Sequence, residues 1–535
     1  MLKLMSGKIN LSRMKKLLFV GLIALLIASC QSRSGSLTGV LGRPIYQPEI
    51  PLGMVYIPSG SYAMGENDQD VPFLHQTRSK TVSVQAFYMD QTEITNNEYR
   101  QFVYWVRDSI AREKLYVGLT DDEPAAEYIN YQESYFDEAQ LTVMEQFDPS
   151  DRAANRAMFS LNWDKEFDYG SLDMDQPGSE IMPLLADMYY SQPERYYQRR
   201  EIDTRKLNYK YYWIDLREAA RRGRIDIIPS GYDNQGNKVV PEHRDLNTPP
   251  HPFTEEPQGQ DLDLGIPNKK GQNTAIRGHE NRQRFIIDET INVYPDTLCW
   301  VRDFTYSFHD PMTNMYFWHP GYDNYPVVGV TWTQAKAFSV WRTQLLNSWL
   351  QAMGDLYVND FRLPTEAEWE RAARGDLAQS AYPWGGPYIR NEAGCFLGNF
   401  KPMRGRYFED GGFHTVKAYS YNPNGWGLYC MAGNVAEWCE TAYDESMYEF
   451  SHDLNTEYRY DAMDWDPPSM KRKVLRGGSW KDIGYYLQTS TRNYEYQDTA
   501  KSYIGYRNVM THIGRGGKTI SKEGSEDNQG DINLR

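Results

Sequence analysis

Apolar and polar residues alternate over short stretches of this chain and fall at helical spacing in only a few longer ones. Val55-Tyr56-Ile57 ahead of Pro58-Ser59-Gly60 reads as a strand running into a turn, and the alternation from Thr81 to Tyr88 predicts a second strand. A helix is expected next, because Thr95 and Glu98 have capping-box spacing and Tyr99, Phe102, Val103, Val106 and Ile110 share one face. The run from Tyr325 to Val330 predicts a short buried strand, followed by a helix through Ala335, Phe338, Leu345 and Trp349. A second capping box, Thr365 with Glu368, opens a further helix that Gly375 should stop. Beyond it Gly, Asn, Trp and Tyr dominate, so short strands and loops are expected rather than a bundle.

The pattern also divides the chain. Lys15-Lys16 precede an apolar run from Leu17 to Ile27, too short to span a hydrocarbon layer of about 30 Å, as expected of an export signal. The run closes on Ile27-Ala28-Ser29-Cys30, small residues before a Cys that resemble a bacterial lipobox. The resemblance implies cleavage of residues 1–29 and diacylglyceration of Cys30. Residues 30–52, rich in Ser, Gly and Pro, then form a lipidated flexible tether. The folded body is expected over 53–512 and a disordered polar tail over 513–535.

Within the body, residues from about 111 to 292 lose the apolar periods and read as an insertion. Part of it, Arg195 to Arg224, interleaves Lys and Arg with Tyr and Trp. Two readings stand: a partner surface carried by Arg199, Arg200, Tyr211, Tyr212, Trp213, Arg221 and Arg222, or a solvated helix whose aromatics face inward.

Composition narrows the function classes. Formal net charge is −15, and residues 1–29 carry only basic charges, so binding to nucleic acid through bulk charge is excluded. No two histidines lie closer than His243 and His251, which removes the common zinc spacings. Past Cys30 the chain has Cys299, Cys395, Cys430 and Cys439, too few for a disulfide framework.

Several blocks together resemble the formylglycine-generating-enzyme (sulfatase-modifying factor) family. They include Met54-Val55-Tyr56-Ile57-Pro58-Ser59-Gly60, Phe87-Tyr88-Met89-Asp90, Arg362-Leu363-Pro364-Thr365-Glu366-Ala367-Glu368-Trp369-Glu370, Met431-Ala432-Gly433-Asn434-Val435, Glu437-Trp438 and Arg476-Gly477-Gly478-Ser479-Trp480. The resemblance implies an α+β, C-type-lectin-like fold with little regular secondary structure and, here, a large insertion. The family's enzyme holds copper(I) between two cysteines, a soft pair suited to that ion. The matching positions here are Asp482 and Leu487, so no copper and no enzymatic activity are expected. The family also implies structural calcium, one ion on Asn399, Phe400, Asp410 and Gly412 and a second on Gly433, Val435 and Glu437. In that second set Cys430 replaces a further oxygen ligand.

A closer resemblance joins the lipobox, Phe87 to Asn96, Val293 to Trp300, Tyr316-Phe317-Trp318-His319 and Arg476 to Asp482 to the GldK/PorK family of gliding-motility and type IX secretion lipoproteins, with the sister lipoprotein GldJ as an alternative. It implies a lipoprotein on the periplasmic face of the outer membrane, forming a homo-oligomeric ring with a GldN/PorN-type periplasmic protein. Two other classes stand beside it: a residual copper or thiol oxidase, and a glycan- or peptide-binding C-type-lectin-like module.

Overall fold

The computed structural model describes residues 50–66, 79–119, 127–130, 160–164, 181–214, 262–267, 273–276, 286–306, 308–402, 405–462 and 466–513. Cys30 with its lipobox, the tether up to residue 49, Arg221, Arg222 and the tail from residue 514 lie outside them. The chain divides into two compact units, 1–47 and 48–535, and the described residues belong to the second.

The first strand, β1 (Met54–Ile57), forms where expected and runs into β2 (Gly60–Met64). The stretch expected to be one strand is two, because the chain changes sheets at Gln85 and Ala86. Strand β3 (Lys80–Val84) pairs with β2, and β4 (Phe87–Asp90) pairs with β1 in a different sheet. A period-two pattern carries through such a switch unbroken, so alternation alone does not reveal it.

Helix α1 (Asn96–Gly118) starts on the predicted capping box, with Thr95 N donating to Glu98 Oε2 at 2.7 Å. Its face of Tyr99, Phe102, Val103 and Val106 is buried, and it continues past residue 111, the expected start of the insertion. Strands β5 (Asn208–Ile214) and β6 (Ile286–Asn292) form an antiparallel pair with Tyr211 opposite Glu289. Tyr209 and Tyr211 enter the main core, Tyr209 meeting Phe102 edge-on at 5.3 Å. Part of the stretch expected to be an insertion therefore completes that core, and residues 208–214 are strand rather than helix.

Residues 326–330 are not a strand. They are irregular chain, bent at Gly329 and held on both sides, Val327 N donating to Ile94 O and Gly329 N to Lys501 O, with Val327, Val328 and Val330 buried. Helix α2 (Trp332–Met353) follows, burying Trp332, Ala335, Phe338 and Trp341. Leu345 and Trp349, expected on the same apolar face, are exposed instead.

After β7 (Phe361–Arg362), helix α3 (Glu366–Arg374) has both capping-box bonds and ends at Gly375, as expected. Thr365→Ala should cost about 1–2 kcal/mol, since it deprives the Glu368 amide of its acceptor in a buried setting; a urea titration would show the midpoint fall with unchanged slope. Beyond α3 come β8 (Ala436–Ala442), β9 (Arg472–Arg476), β10 (Asn493–Tyr496), β11 (Ile504–Gly505) and β12 (Val509–Thr511). Of the two four-stranded sheets, one has the order β1-β4-β12-β7 and the other β10-β9-β8-β11, antiparallel except for β8 with β11.

Candidate functional site

Three loops cross where β8 begins and β9 ends. The turn Gly433-Asn434-Val435 leads into β8, Gly477-Gly478-Ser479-Trp480 leaves β9, and a third loop carries Asn399 to Val416. Gly433 N donates to Gly477 O at 2.9 Å, Trp480 N to Asn434 O at 2.9 Å, and Asn434 N to Asn399 O at 2.8 Å. Gly433 sits at φ +84°, and a Cβ there would lie 2.3 Å from Asn399 O, so only glycine permits the crossing.

Just beyond Trp480 are the positions matched to copper-binding cysteines. Asp482 turns back on its own loop: its carboxylate accepts from Ser479 Oγ at 2.6 Å and its carbonyl from Lys401 N at 2.8 Å, and burial raises its pKa. Leu487, one short helical turn later, is fully buried with Ala381, Tyr382, Phe400 and Ala432. The locus is thus an apolar plug beside a self-satisfied carboxyl. The four described cysteines are free thiols: Cys299, Cys430 and Cys439 are buried, with pKa values pushed up chiefly by desolvation, and Cys395 is exposed. A buried neutral thiol is a poor soft-metal ligand and a poor nucleophile.

The loops hold oxygens suited to a hard cation at one place. Asp410 accepts from Phe400 N at 2.7 Å and from Gly412 N at 3.3 Å, closing residues 400–412 into a loop. Asn399 Nδ2 donates to His414 O at 2.8 Å, and its buried Oδ1 has no donor among the described residues. An orphaned buried oxygen beside the Gly412 backbone, whose amide Asp410 holds, fits the first calcium set.

The second set does not fit. Both oxygens of Glu437 are engaged, Oε1 by Arg507 Nη2 at 2.6 Å and Oε2 by Arg507 Nε and the Trp369 indole, each at 2.7 Å. Arg507 also donates to the carbonyls of Asp90 and Tyr429, so a guanidinium supplies the positive charge next to the Gly433 and Val435 turn. Glu93, fully buried, accepts from Asn434 Nδ2 and Val435 N; desolvation and then Glu437 hold its pKa well above the carboxylate range.

A second ionic cluster lies under α3. Arg476 pairs with Glu370 and lies 3.6 Å from Glu366, Arg374 chelates Glu370, and Arg492 binds both oxygens of Glu366, all with nearly no exposure. The sequence pattern does not single out these residues, nor Glu93 and Arg507. The one signal that could have found them is charge embedded in apolar context, as in Tyr506-Arg507-Asn508-Val509.

The residues named for a partner surface do not form one patch. Period-two geometry sends Tyr211 into the core, its hydroxyl on Glu289, and turns Tyr212 outward. Trp213 is half-buried under the Lys336 amine at 4.0 Å. Arg199 and Arg200 are exposed beside Tyr196 and Tyr197, two exposed rings in edge contact at 4.4 Å.

A family model described as "Sulfatase-modifying factor enzyme 1-like domain" matches residues 46–150 and 277–512. Similar curated proteins include the formylglycine-generating enzyme of Streptomyces coelicolor, 33% identical over 35% of this chain and 53% of its own. The inactive C-alpha-formylglycine-generating enzyme 2 of Bos taurus is 34% identical over 34% and 49%, and the serine/threonine-protein kinase pkn1 of Chlamydia pneumoniae is 34% identical over 35% and 24%. The chain thus spans about half of the first two and a quarter of the third. Among solved structures, PvdO from Pseudomonas aeruginosa aligns over 86% of this chain and 94% of its own, at 14% identity and a TM-score of 0.36.

Proposed function

This chain belongs to the sulfatase-modifying factor enzyme 1-like domain family, and on that premise we propose that it is a non-catalytic scaffold lipoprotein. The observation that carries the reading is the pair Asp482 and Leu487: one satisfied within its loop, the other packed into a core, neither able to hold a soft metal. The family contains both working enzymes and proteins named as inactive, so loss of chemistry on this fold is an available route. In this reading Cys30 carries the lipid, the body faces the periplasm at the outer membrane, and the partner is a GldN/PorN-type protein of the type IX secretion and gliding machinery, joined in a ring. The resemblance of the lipobox and of the blocks around residues 87–96, 293–300, 316–319 and 476–482 supports that finer assignment.

Purified protein given copper(I), oxygen and a thiol peptide should show no turnover above the metal-free control, and Cys430→Ser and Cys439→Ser should change nothing. Copper-dependent oxidation lost in either variant would instead establish the oxidase reading.

We assign a structural role to calcium at Asn399, Phe400, Asp410 and Gly412, where it would tie the 399–412 loop to its neighbours. Calcium at about a hundredfold its dissociation constant should then raise stability by about 2–3 kcal/mol, and Asp410→Asn should abolish the increment. Equal melting temperatures in calcium and in chelator would remove the ion from the account.

A further inference from the structure

The C-terminal half of α2 is out of character for this chain. Residues 343–354 carry no charge, in a sequence that is 24% charged, yet much of this half-helix is exposed. Leu345, Trp349 and Met353, spaced by four and therefore on one face, are 45%, 57% and 64% exposed. Leu356 and Tyr357 continue the apolar surface past the Gly354 cap, both exposed. A contiguous apolar patch on a soluble face marks a contact surface.

Its position says which. Leu346 of the same helix and Val358 pack against the small core cluster of Met54, Tyr88, Phe361 and Met510, which includes the first residue of β1. The chain enters β1 through Ile50 and Leu52, both exposed, with Met54 N closing a turn onto Pro51 O. The helix that carries the patch thus shares a core cluster with the strand at which the stretch read as a lipidated tether from Cys30 joins the body.

We propose that Leu345, Trp349, Met353, Leu356 and Tyr357 form a membrane-seating surface that dips into the lipid leaflet holding the anchor. This deepens the scaffold reading and rests on lipidation of Cys30. Trp and Tyr suit the headgroup boundary, with a flat apolar ring and one polar handle. A second, protein-borne contact also turns a tethered body into an oriented one. Residues 343–360 contain Asp355 and Asp360 but no Lys or Arg, so the contact is apolar rather than electrostatic. It should be insensitive to salt and to the fraction of anionic lipid, unlike a polybasic surface.

The test uses the full lipidated chain in phosphatidylethanolamine/phosphatidylglycerol vesicles with brominated acyl chains. Mass spectrometry of Cys30 and tryptophan emission are read on the same sample, and the difference between wild type and Trp349→Phe isolates Trp349. The expected result is loss of the Trp349 emission to bromine quenching, unchanged by salt and abolished by Leu345→Ser with Met353→Ser. In the unlipidated Cys30→Ser chain, that double substitution should weaken vesicle partition by about tenfold or more, from the apolar area it withdraws. Unquenched Trp349 on an acylated protein overturns the proposal while the anchor stands. If Met353→Cys then cross-links two chains, the face is an interface between copies. An unacylated Cys30 overturns the anchor, and the seating surface with it.

Discussion

Replacing Arg476 with methionine is expected to lower the stability of the folded body by about 3–5 kcal/mol, a large share of the total available to a protein domain. Arg476 has no exposure, stacks its guanidinium over Trp369 at 5.6 Å, pairs with Glu370 and donates to the carbonyls of Ser490 and Thr491 at 2.7 and 3.0 Å. Methionine fills the volume but leaves part of two buried carboxylates uncompensated and two carbonyls without a donor. The loss comes from stranded groups rather than from the intrinsic value of the ion pair, which desolvation offsets. Arg476→Lys keeps the charge but cannot reach carboxylate and carbonyls together, so it should recover only part of the loss. Urea titrations of the three proteins decide the matter. A methionine variant within about 1 kcal/mol of wild type would mean that Arg374 and Arg492 suffice for both carboxylates.

Gly433→Ala is expected to cost about 2–4 kcal/mol and to open the crossing of the three loops. Two terms add. The backbone is left-handed at φ +84°, and the new methyl would lie 2.3 Å from Asn399 O, a main-chain atom fixed by the Asn434 amide. Gly354 at the end of α2 separates these terms. It is also left-handed, at φ +77°, but a methyl added there would have nothing within 4 Å, so Gly354→Ala should show the backbone cost alone, about 1 kcal/mol. Thermal melts giving equal losses at both sites would mean that the Asn399 loop moves aside and does not brace the site.

What the sequence displayed and what it hid follow from which forces act locally. Both capping boxes are formed by residues three apart, and both marked true helix starts. Gly375 stops α3 for the same local reason. The alternation read from Thr81 to Tyr88 spans two strands with different partners, and partner choice is a long-range property that a periodicity does not encode. Tyr209 and Tyr211 looked like part of an insertion because their partners, Phe102, Trp105 and Glu289, are remote in sequence.

The candidate site divides the same way. Asp482 and Leu487 could be located because a motif fixes their spacing, whereas the orphaned Asn399 oxygen is visible only in the fold. The failure of the second set was not legible: Arg507, seventy residues beyond Glu437, occupies both carboxylate oxygens. Exposure of Leu345 and Trp349 was equally hidden, since a helical face predicts shared direction but not whether anything covers it.

In the proposed scaffold reading, this fold serves assembly rather than oxidation. The most direct test of that reading is to solubilise the outer membrane gently, purify through a C-terminal tag, and size the eluate by mass photometry with its chains identified. A megadalton particle containing many copies of this chain and one abundant periplasmic partner is the expected result. A particle of one chain with no partner would contradict it, leaving the family assignment intact and the scaffold without an assembly.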